Sequence, residues 1–259
     1  MPDIRALDPP PPRVYRRRFE PGSLSFRVLR SGPTVSEQPA VVLIHGIGMS
    51  HRSFAGLHRL LAAEGPVYSV DLPGFGGLPK PSADMDVATA ARVLGELLAD
   101  ARFGPAVLVG HSMGAQWAIE VATRRPELVS RVVVIGAVTD AARRSFFAQL
   151  GSLALDTFCE PPCVNAVAFA DYARCGPRWY ARQLRHMLRY PIEDRVRALP
   201  MPVLVMRGSR DPIAGLRWCR RLRDLAPAAE LILVPGHHHA VQHSAPRTVA
   251  SALRAFVRT

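Results

Sequence analysis

One short stretch limits the possible folds of this chain more than any other feature: residues 110–114, with the sequence Gly-His-Ser-Met-Gly. An apolar run over residues 106–109 precedes it, and a run typical of a helix follows over residues 115–122. The pattern predicts a strand, a tight turn and a helix, with Ser112 at the apex of the turn. Glycine on either side relieves the crowding in such a turn. We therefore expect the serine hydroxyl to stand above a sheet edge, beside backbone amides that point toward an anion.

Apolar runs recur along the chain, with predicted helices between them. They cover residues 39–44, 132–135, 203–206 and 231–234, and residues 67–70, which include Ser69, predict a further strand. Continuous runs of this kind are typical of parallel strands that are covered on both faces. Residues 24–29 alternate between apolar and polar side chains and predict an edge strand. This succession predicts an α/β fold with a doubly wound, mostly parallel sheet.

Two segments depart from the succession of strands and helices. Residues 1–22 are rich in proline and arginine, and we expect them to form a flexible lead-in. Residues 139–198 contain helical patches without a strand-like run, which predicts a helical cap inserted into the sheet domain. The core would then consist of residues 23–138 and 199–259.

Within the predicted cap, four arginines fall on one stripe of a helix: Arg178, Arg182, Arg185 and Arg189. The opposite side carries Tyr180, Gln183, Leu184 and Met187. A solvent-exposed face over a buried face explains this pattern. An alternative is that the stripe attracts an anionic substrate tail or an acidic partner.

The positive charge of the chain does not by itself indicate a nucleic-acid partner. The formal net charge is +12, and Lys80 is the only lysine, which indicates a compositional bias toward arginine. The basic residues are scattered over predicted helices, without interleaved aromatic residues or a DNA-binding motif. We therefore expect no nucleic-acid partner, while attraction to anionic substrates or surfaces remains physically reasonable.

Targeting signals and cysteines indicate the compartment. No apolar run approaches the roughly 18 residues that a bilayer-spanning helix needs. Arginines at 16–18 are followed by Glu-Pro-Gly at 20–22, where a twin-arginine export signal needs an apolar stretch. Free thiols in a reducing compartment are expected for Cys159, Cys163, Cys175 and Cys219. These features predict a cytoplasmic protein without stable membrane insertion and without a metal site.

A serine nucleophile needs a base to take its proton and an acid to orient that base. Of the nine histidines, His45 and His111 lie in turns beside the predicted site and are not free to move between the serine and a leaving group. His237, His238 and His239 follow the last predicted strand, where a loop can reach back over the serine.

Three aspartates are candidates for the acid. Asp211 follows the strand at 203–206, at its carboxyl end, where ligand-facing residues gather. Asp140 follows the previous strand and is the main rival. Asp71 lies on the far side of the serine strand, and we expect it to hold a loop. Asp211 is preferred, because a turn that contains proline follows it.

The order Ser112, Asp211 and His239 along the chain resembles that of the α/β-hydrolase superfamily, in particular of its capped members that cleave esters or carbon–carbon bonds next to carbonyls. Residues 208–212 are similar to the acid turn of that family, and residues 235–246 are similar to its histidine turn. In the family a proline follows the base seven residues on, which selects His239 over its two neighbours. The turn that begins at His45-Gly46 completes the resemblance.

The resemblance implies acyl transfer in two steps. Ser112 attacks a carbonyl, His239 moves the proton, and Asp211 fixes the imidazole. The backbone amides of Ile47 and Met113 hold the oxyanion. The neighbouring turns contribute His45, Gly46, Gly48 and His111 to the substrate pocket. No metal or organic cofactor is expected.

Several readings of the function remain open. The first is hydrolysis of a carboxylic ester, thioester or lactone of a small organic molecule. The second is carbon–carbon hydrolysis of a dienone-type acid, for which an arginine would be needed to bind the substrate carboxylate. The third is a binding protein that keeps the same fold without turnover, since a fold alone does not settle a reaction.

Overall fold

An eight-stranded sheet forms the centre of the computed structural model, which describes residues 13–19, 24–33, 36–101, 104–138 and 159–258. The strands are β1 (Arg13–Phe19), β2 (Leu24–Ser31), β3 (Val41–Ile44), β4 (Val67–Asp71), β5 (Ala106–His111), β6 (Val129–Ile135), β7 (Val203–Gly208) and β8 (Ala229–Val234). Their spatial order is β1-β2-β4-β3-β5-β6-β7-β8. Strands β3 to β8 run parallel, and β1 and β2 are antiparallel to their neighbours. The predicted α/β fold is therefore confirmed.

Helices cover both faces of this sheet. The described helices are α1 (Ala55–Ala62), α2 (Val87–Ala101), α3 (Met113–Arg124), α4 (Pro162–Cys175), α5 (Pro177–Arg189), α6 (Ile192–Arg197), α7 (Leu216–Leu225), α8 (Val241–Ser244) and α9 (Pro246–Arg258). Along β5, Val107 and Val109 pack in the hydrophobic cluster of α1 and α9, whereas Leu108 packs in the cluster of α2 and α3. Every residue of β5 and β7 is buried, as expected for parallel strands between two helical layers.

The amino-terminal part differs from the sequence-based expectation. The sequence predicts a flexible lead-in over residues 1–22. Instead, residues 13–19 form β1, and all of them pair with β2. The edge strand of the sheet is therefore β1 and not the strand predicted at 24–29. An edge strand has a partner on one side only and tolerates charged side chains, so an arginine-rich composition does not exclude it. Residues 1–12 and 20–22 lie outside the described residues.

Among the described residues, the helices α4, α5 and α6 lie between β6 and β7 along the chain. Residues 139–158 of the predicted cap lie outside the described part of the chain, and the division into core and cap stays a prediction. Several hydrogen bonds join α5 and the residue after it to the rest of the fold, including two from buried side chains of this segment. Gln183 donates to the carbonyl of Met85 (2.9 Å), and the Tyr190 hydroxyl donates to Glu120 (2.9 Å). Burial, and then the charge of Glu120, raise the pKa of Tyr190.

The two-faced character predicted for α5 is confirmed. Gln183, Leu184 and Met187 are buried, and all four arginines of the stripe are exposed. The guanidinium of Arg185 donates to Asp84 (3.0 Å), and that of Arg182 lies 5.8 Å from the centre of the Trp179 ring. The stripe is therefore a solvated face with local partners. No helix in the described ranges is both long enough and apolar enough to cross a bilayer.

Candidate active site

Ser112 occupies a strained turn between β5 and α3. Its backbone has φ 57° and ψ −120°, and it is the only non-glycine residue with positive φ in the part of the chain that the structure describes. Such a conformation costs on the order of 1–3 kcal/mol and persists only where surrounding contacts enforce it. The amide of Ser112 donates to the carbonyl of Ile135 (2.8 Å), and its carbonyl accepts from Ala115 (3.1 Å). The turn is therefore held from both sides.

The glycines on either side of Ser112 are required by close backbone contacts. A Cβ on Gly110 would lie 2.3 Å from the carbonyl oxygen of Gly114. A Cβ on Gly114 would lie 2.2 Å from the carbonyl oxygen of Ile44. No side chain fits at these distances, so the crowding predicted from the sequence is present in the structure.

His239 and Asp211 are in direct contact. The Nδ1 atom of the imidazole lies 2.9 Å from Oδ2 of Asp211, and both side chains are buried. The second carboxylate oxygen accepts from the amides of Ile213 (2.8 Å) and Ala214 (2.9 Å). Burial by itself raises the pKa of Asp211, but attraction to His239 and these hydrogen bonds outweigh it, so that the pKa is lowered. The carboxylate is therefore held in its charged form.

Ser112 and His239 line the same cavity, which has a volume of about 310 Å³. The other two histidines of the trio are placed differently. The ring of His237 lies 3.0 Å from the hydroxyl of Ser244, and both His237 and His238 are partly exposed. Within the described residues, only His239 of this trio contacts Asp211. The structure thus brings one histidine, one aspartate and the cavity together.

Two residues that support this arrangement were not identified from the sequence. Gly136, directly after β6, has φ +58°, and a Cβ there would lie 2.8 Å from Cε1 of His239. Arg207 is buried and donates to the carbonyls of Ala214 (2.6 Å) and Asp211 (2.8 Å). The only sequence signal for Gly136 is a glycine directly after a buried strand. For Arg207 the signal is a charge at the end of an apolar run.

The remaining aspartates have different positions. Asp71 is buried and accepts from Arg27 (2.8 Å) and from both the amide (2.6 Å) and the ring (2.7 Å) of His51. Burial raises the pKa of Asp71, but the hydrogen bond and charge of His51 lower it further than burial raises it. Asp71 therefore holds a loop, as expected. Asp140 lies outside the described residues.

His45 directly follows β3, and His111 is the last residue of β5, directly before Ser112. The Nδ1 of His45 lies 2.8 Å from the carbonyl of Gly46, and Nε2 accepts from Leu72 (3.2 Å), which is the pattern of a neutral ring. Burial lowers the pKa of His45. The Nε2 of His111 lies 3.3 Å from the carbonyl of His239. Burial, and then the nearby ring of His239, hold the pKa of His111 well below its ordinary value.

The loop that begins at His45 carries the predicted amide of Ile47. A Cβ on Gly46 would lie 3.0 Å from Cβ of Ser112, so the loop passes directly beside the serine. Gly48 has φ +74°, and the Tyr172 ring fills the space beside it. Ile47 lines the cavity, and Met113 is the first residue of α3. Both amides are therefore close to Ser112 in the chain or in space.

The same loop is tied to α4 by Asp171. Its carboxylate accepts from the hydroxyl of Ser50 and from the guanidinium of Arg52 (2.5 Å). Ser50 follows the loop directly and also accepts from the amide of Arg52 (3.3 Å). Asp171 is fully buried, whereas the Arg52 side chain is partly exposed, so a buried carboxylate joins α4 to the segment that follows the loop.

The cavity wall is mainly apolar. It includes Val138, Val164, Phe169, Leu184, Met187 and Ile213. Glu160 is the only acidic residue among the described residues of the wall, which include no lysine or arginine. None of the four arginines of the α5 stripe belongs to the described wall of the cavity. That the stripe attracts an anionic substrate tail or an acidic partner stays a prediction. Within the described ranges, no three His, Cys, Asp or Glu side chains cluster in the manner of a metal site.

A model of the alpha/beta hydrolase family matches residues 41–252. An uncharacterised protein of Mycobacterium tuberculosis (strain ATCC 25618 / H37Rv) is 35% identical, over 97% of this chain and 83% of the relative. The (E)-2-((N-methylformamido)methylene)succinate hydrolase of Acinetobacter baylyi (strain ATCC 33305 / BD413 / ADP1) is 26% identical, over 86% of this chain and 92% of that protein. The structure of a thermophilic esterase from Thermogutta terrifontis matches with a TM-score of 0.79 at 20% identity, covering 95% of this chain and 98% of that one. This last likeness concerns the fold alone.

Proposed function

Because the chain belongs to the alpha/beta hydrolase family, we propose that it is a serine hydrolase that cleaves a carboxylic ester, thioester or lactone of a small organic substrate through an acyl-enzyme. The observation that carries this proposal is the strained backbone of Ser112, in a cavity that it shares with His239. Strain at a non-glycine residue is retained where function requires that residue. Binding alone does not require it.

In the proposed reaction, the hydroxyl of Ser112 attacks the substrate carbonyl. The Nδ1–H of His239 donates to Asp211, so Nε2 is the nitrogen that accepts the proton from Ser112 and returns it to the leaving group. Water then attacks the acyl-enzyme. His239 accepts a proton from this water and passes it to the oxygen of Ser112, and the acid is released. The buried carboxylate of Asp211 stabilises the imidazolium that forms in each step.

The oxyanion of each tetrahedral intermediate is assigned to the amides of Ile47 and Met113. Met113 is the first residue of α3, where the amides have no partner within the helix and the helix dipole favours negative charge. Loss of one such donor costs about 3 kcal/mol of transition-state stabilisation. The other donor, the amide of Ile47, belongs to a loop whose position is fixed. Gly46 of this loop lies beside Ser112, and Ser50, directly after the loop, donates to Asp171.

Carbon–carbon hydrolysis of a dienone-type acid is less well supported. That reaction needs a cation to bind the substrate carboxylate, and the described residues of the cavity wall include no lysine or arginine. Ester hydrolysis requires no such group, since the wall needs only to accommodate an apolar acyl chain. The apolar side chains of Val164, Leu184 and Met187 are suited to this.

The test is hydrolysis of p-nitrophenyl butyrate together with labelling by a fluorophosphonate probe. We expect both in the wild-type protein and neither in Ser112→Ala. Ser251→Ala is the matched control, because Ser251 is exposed on α9 far from the turn in sequence, and it should keep both properties. Full turnover or labelling of Ser112→Ala would contradict the proposed function.

A further inference from the structure

Glu160 places a carboxylate next to the proposed base. It precedes α4 and is only 6% exposed. Its Oε1 accepts a hydrogen bond from the amide of Ala240 (2.7 Å), the residue directly after His239. Both Glu160 and Ala240 line the cavity, so the carboxylate belongs to the wall on the side of the histidine turn.

The second oxygen of this carboxylate has no hydrogen-bond partner in the part of the chain that the structure describes. Oε2 of Glu160 is hidden from solvent and finds no donor among the described residues. A buried acceptor without a partner is unfavourable, because it has lost its water without gaining a protein donor. In contrast, every carboxylate oxygen of Asp211 has a donor. A cationic or hydrogen-bond-donating group of a ligand in the cavity would lie beside this carboxylate and would offset part of the cost, because Glu160 belongs to the wall.

The surroundings increase the effect of this charge on a ligand. The wall is mainly apolar and screens charges less than water does. A negative group entering the cavity therefore meets repulsion from Glu160, whereas an ammonium or hydroxyl group meets an acceptor. The strong positive net charge of the whole protein does not cancel this preference, because exposed charges are screened within about one Debye length.

We propose that Glu160 determines substrate specificity: it selects molecules that present a hydroxyl or ammonium group near the histidine turn and rejects molecules that present a carboxylate there. The inference rests on the proposed function only in that the same cavity receives the substrate. It separates this chain from its relative in Acinetobacter baylyi, whose name specifies a succinate.

Equilibrium binding of three probes of equal chain length tests the proposal without any need for turnover. Isothermal titration calorimetry is performed with hexylammonium, hexan-1-ol and hexanoate at neutral pH and about 0.15 M salt, where surface charges are screened. In the wild-type protein, we expect hexylammonium to bind most tightly and at least tenfold more tightly than hexanoate. In Glu160→Gln, whose amide oxygen can still accept from Ala240, the ratio should fall at least tenfold.

Two further variants complete the experiment. Glu160→Asp keeps the charge and should keep the order of the three probes. Asp194→Asn removes one charge from the exposed surface of α6, outside the cavity wall, and should leave the ratio within twofold of the wild-type value. The proposal is overturned if Glu160→Gln keeps the wild-type ratio. It is also overturned if hexanoate binds the wild-type protein as tightly as hexylammonium, whether or not the variant folds. Absence of esterase activity would contradict the proposed function but not this result.

Discussion

Removing the side chain of Ser112 should stabilise the protein while abolishing its proposed activity. The backbone at φ 57° and ψ −120° is unfavourable for any residue with a Cβ, and glycine adopts it readily. Ser112→Gly should therefore recover the strain of about 1–3 kcal/mol. Against this stands the greater freedom of glycine in the unfolded chain, which costs about 0.5–1 kcal/mol. The net gain is about 1 kcal/mol, or an increase in Tm of roughly 2–4 °C for a chain of this size.

The proper reference for this change is Ser112→Ala, which also removes the hydroxyl but keeps the Cβ and hence the strain. We expect Ser112→Gly to exceed Ser112→Ala by about 1 kcal/mol in the free energy of unfolding, measured by urea denaturation with equal m-values. Both variants should be inactive toward p-nitrophenyl butyrate. If Ser112→Gly were no more stable than Ser112→Ala, the turn would not store strain, and the main support for the proposed nucleophile would be lost.

Three other predictions concern the residues around the site and one buried histidine. Asp211→Asn should fold but lose roughly 10³- to 10⁴-fold in kcat, because the amide favours the wrong tautomer of His239; unchanged kcat would exclude Asp211 as the acid. Gly136→Ala should lower kcat on the order of 10²-fold, since its Cβ would lie 2.8 Å from the His239 ring. Gly104→Ala, also at positive φ but with nothing within 4 Å of the new Cβ, should lose stability without losing activity. Burial, and then repulsion by His51, lower the pKa of His58 to about 4 from 6.5. Between these pH values the unfolded chain binds more protons than the folded one, so the free energy of unfolding should fall by up to about 3 kcal/mol as pH decreases through this window. His58→Gln should flatten that slope in urea titrations, and an unchanged slope would refute the assignment.

The parts of the fold that could be predicted from the sequence are those that depend on residues close together in the chain. The runs that became β3 to β7 are largely buried on both faces, so their side chains are apolar with few exceptions, of which Ser69 is one. The turn at Ser112 was predictable for a similar reason, because its glycines and its flanking strand and helix lie within one window. In contrast, β1 was missed because an exposed edge strand needs only backbone pairing, and its arginine-rich sequence resembles that of an unfolded segment.

The supporting residues of the site depend on contacts between distant parts of the chain. Glu160 accepts a hydrogen bond from Ala240, which is 80 positions away in sequence, and Gly136 lies next to the ring of His239, in the loop after β8. No periodicity or short motif encodes such a contact. Arg207 was overlooked for a different reason. A charged residue at the end of an apolar run is expected to be exposed, but the guanidinium of Arg207 is buried and donates to backbone carbonyls. Asp211 could be preferred because its position at a strand end limits where its side chain can lie.

The central claim is that a hydroxyl at the strained turn is made nucleophilic by the imidazole of His239. The most direct measurement is peptide mapping by mass spectrometry after reaction with paraoxon, in the wild-type protein and in His239→Ala. We predict a diethylphosphoryl group on Ser112 in the wild-type protein and a much slower reaction in the variant. A phosphoryl group on another residue, or equal rates in the two proteins, would contradict the account.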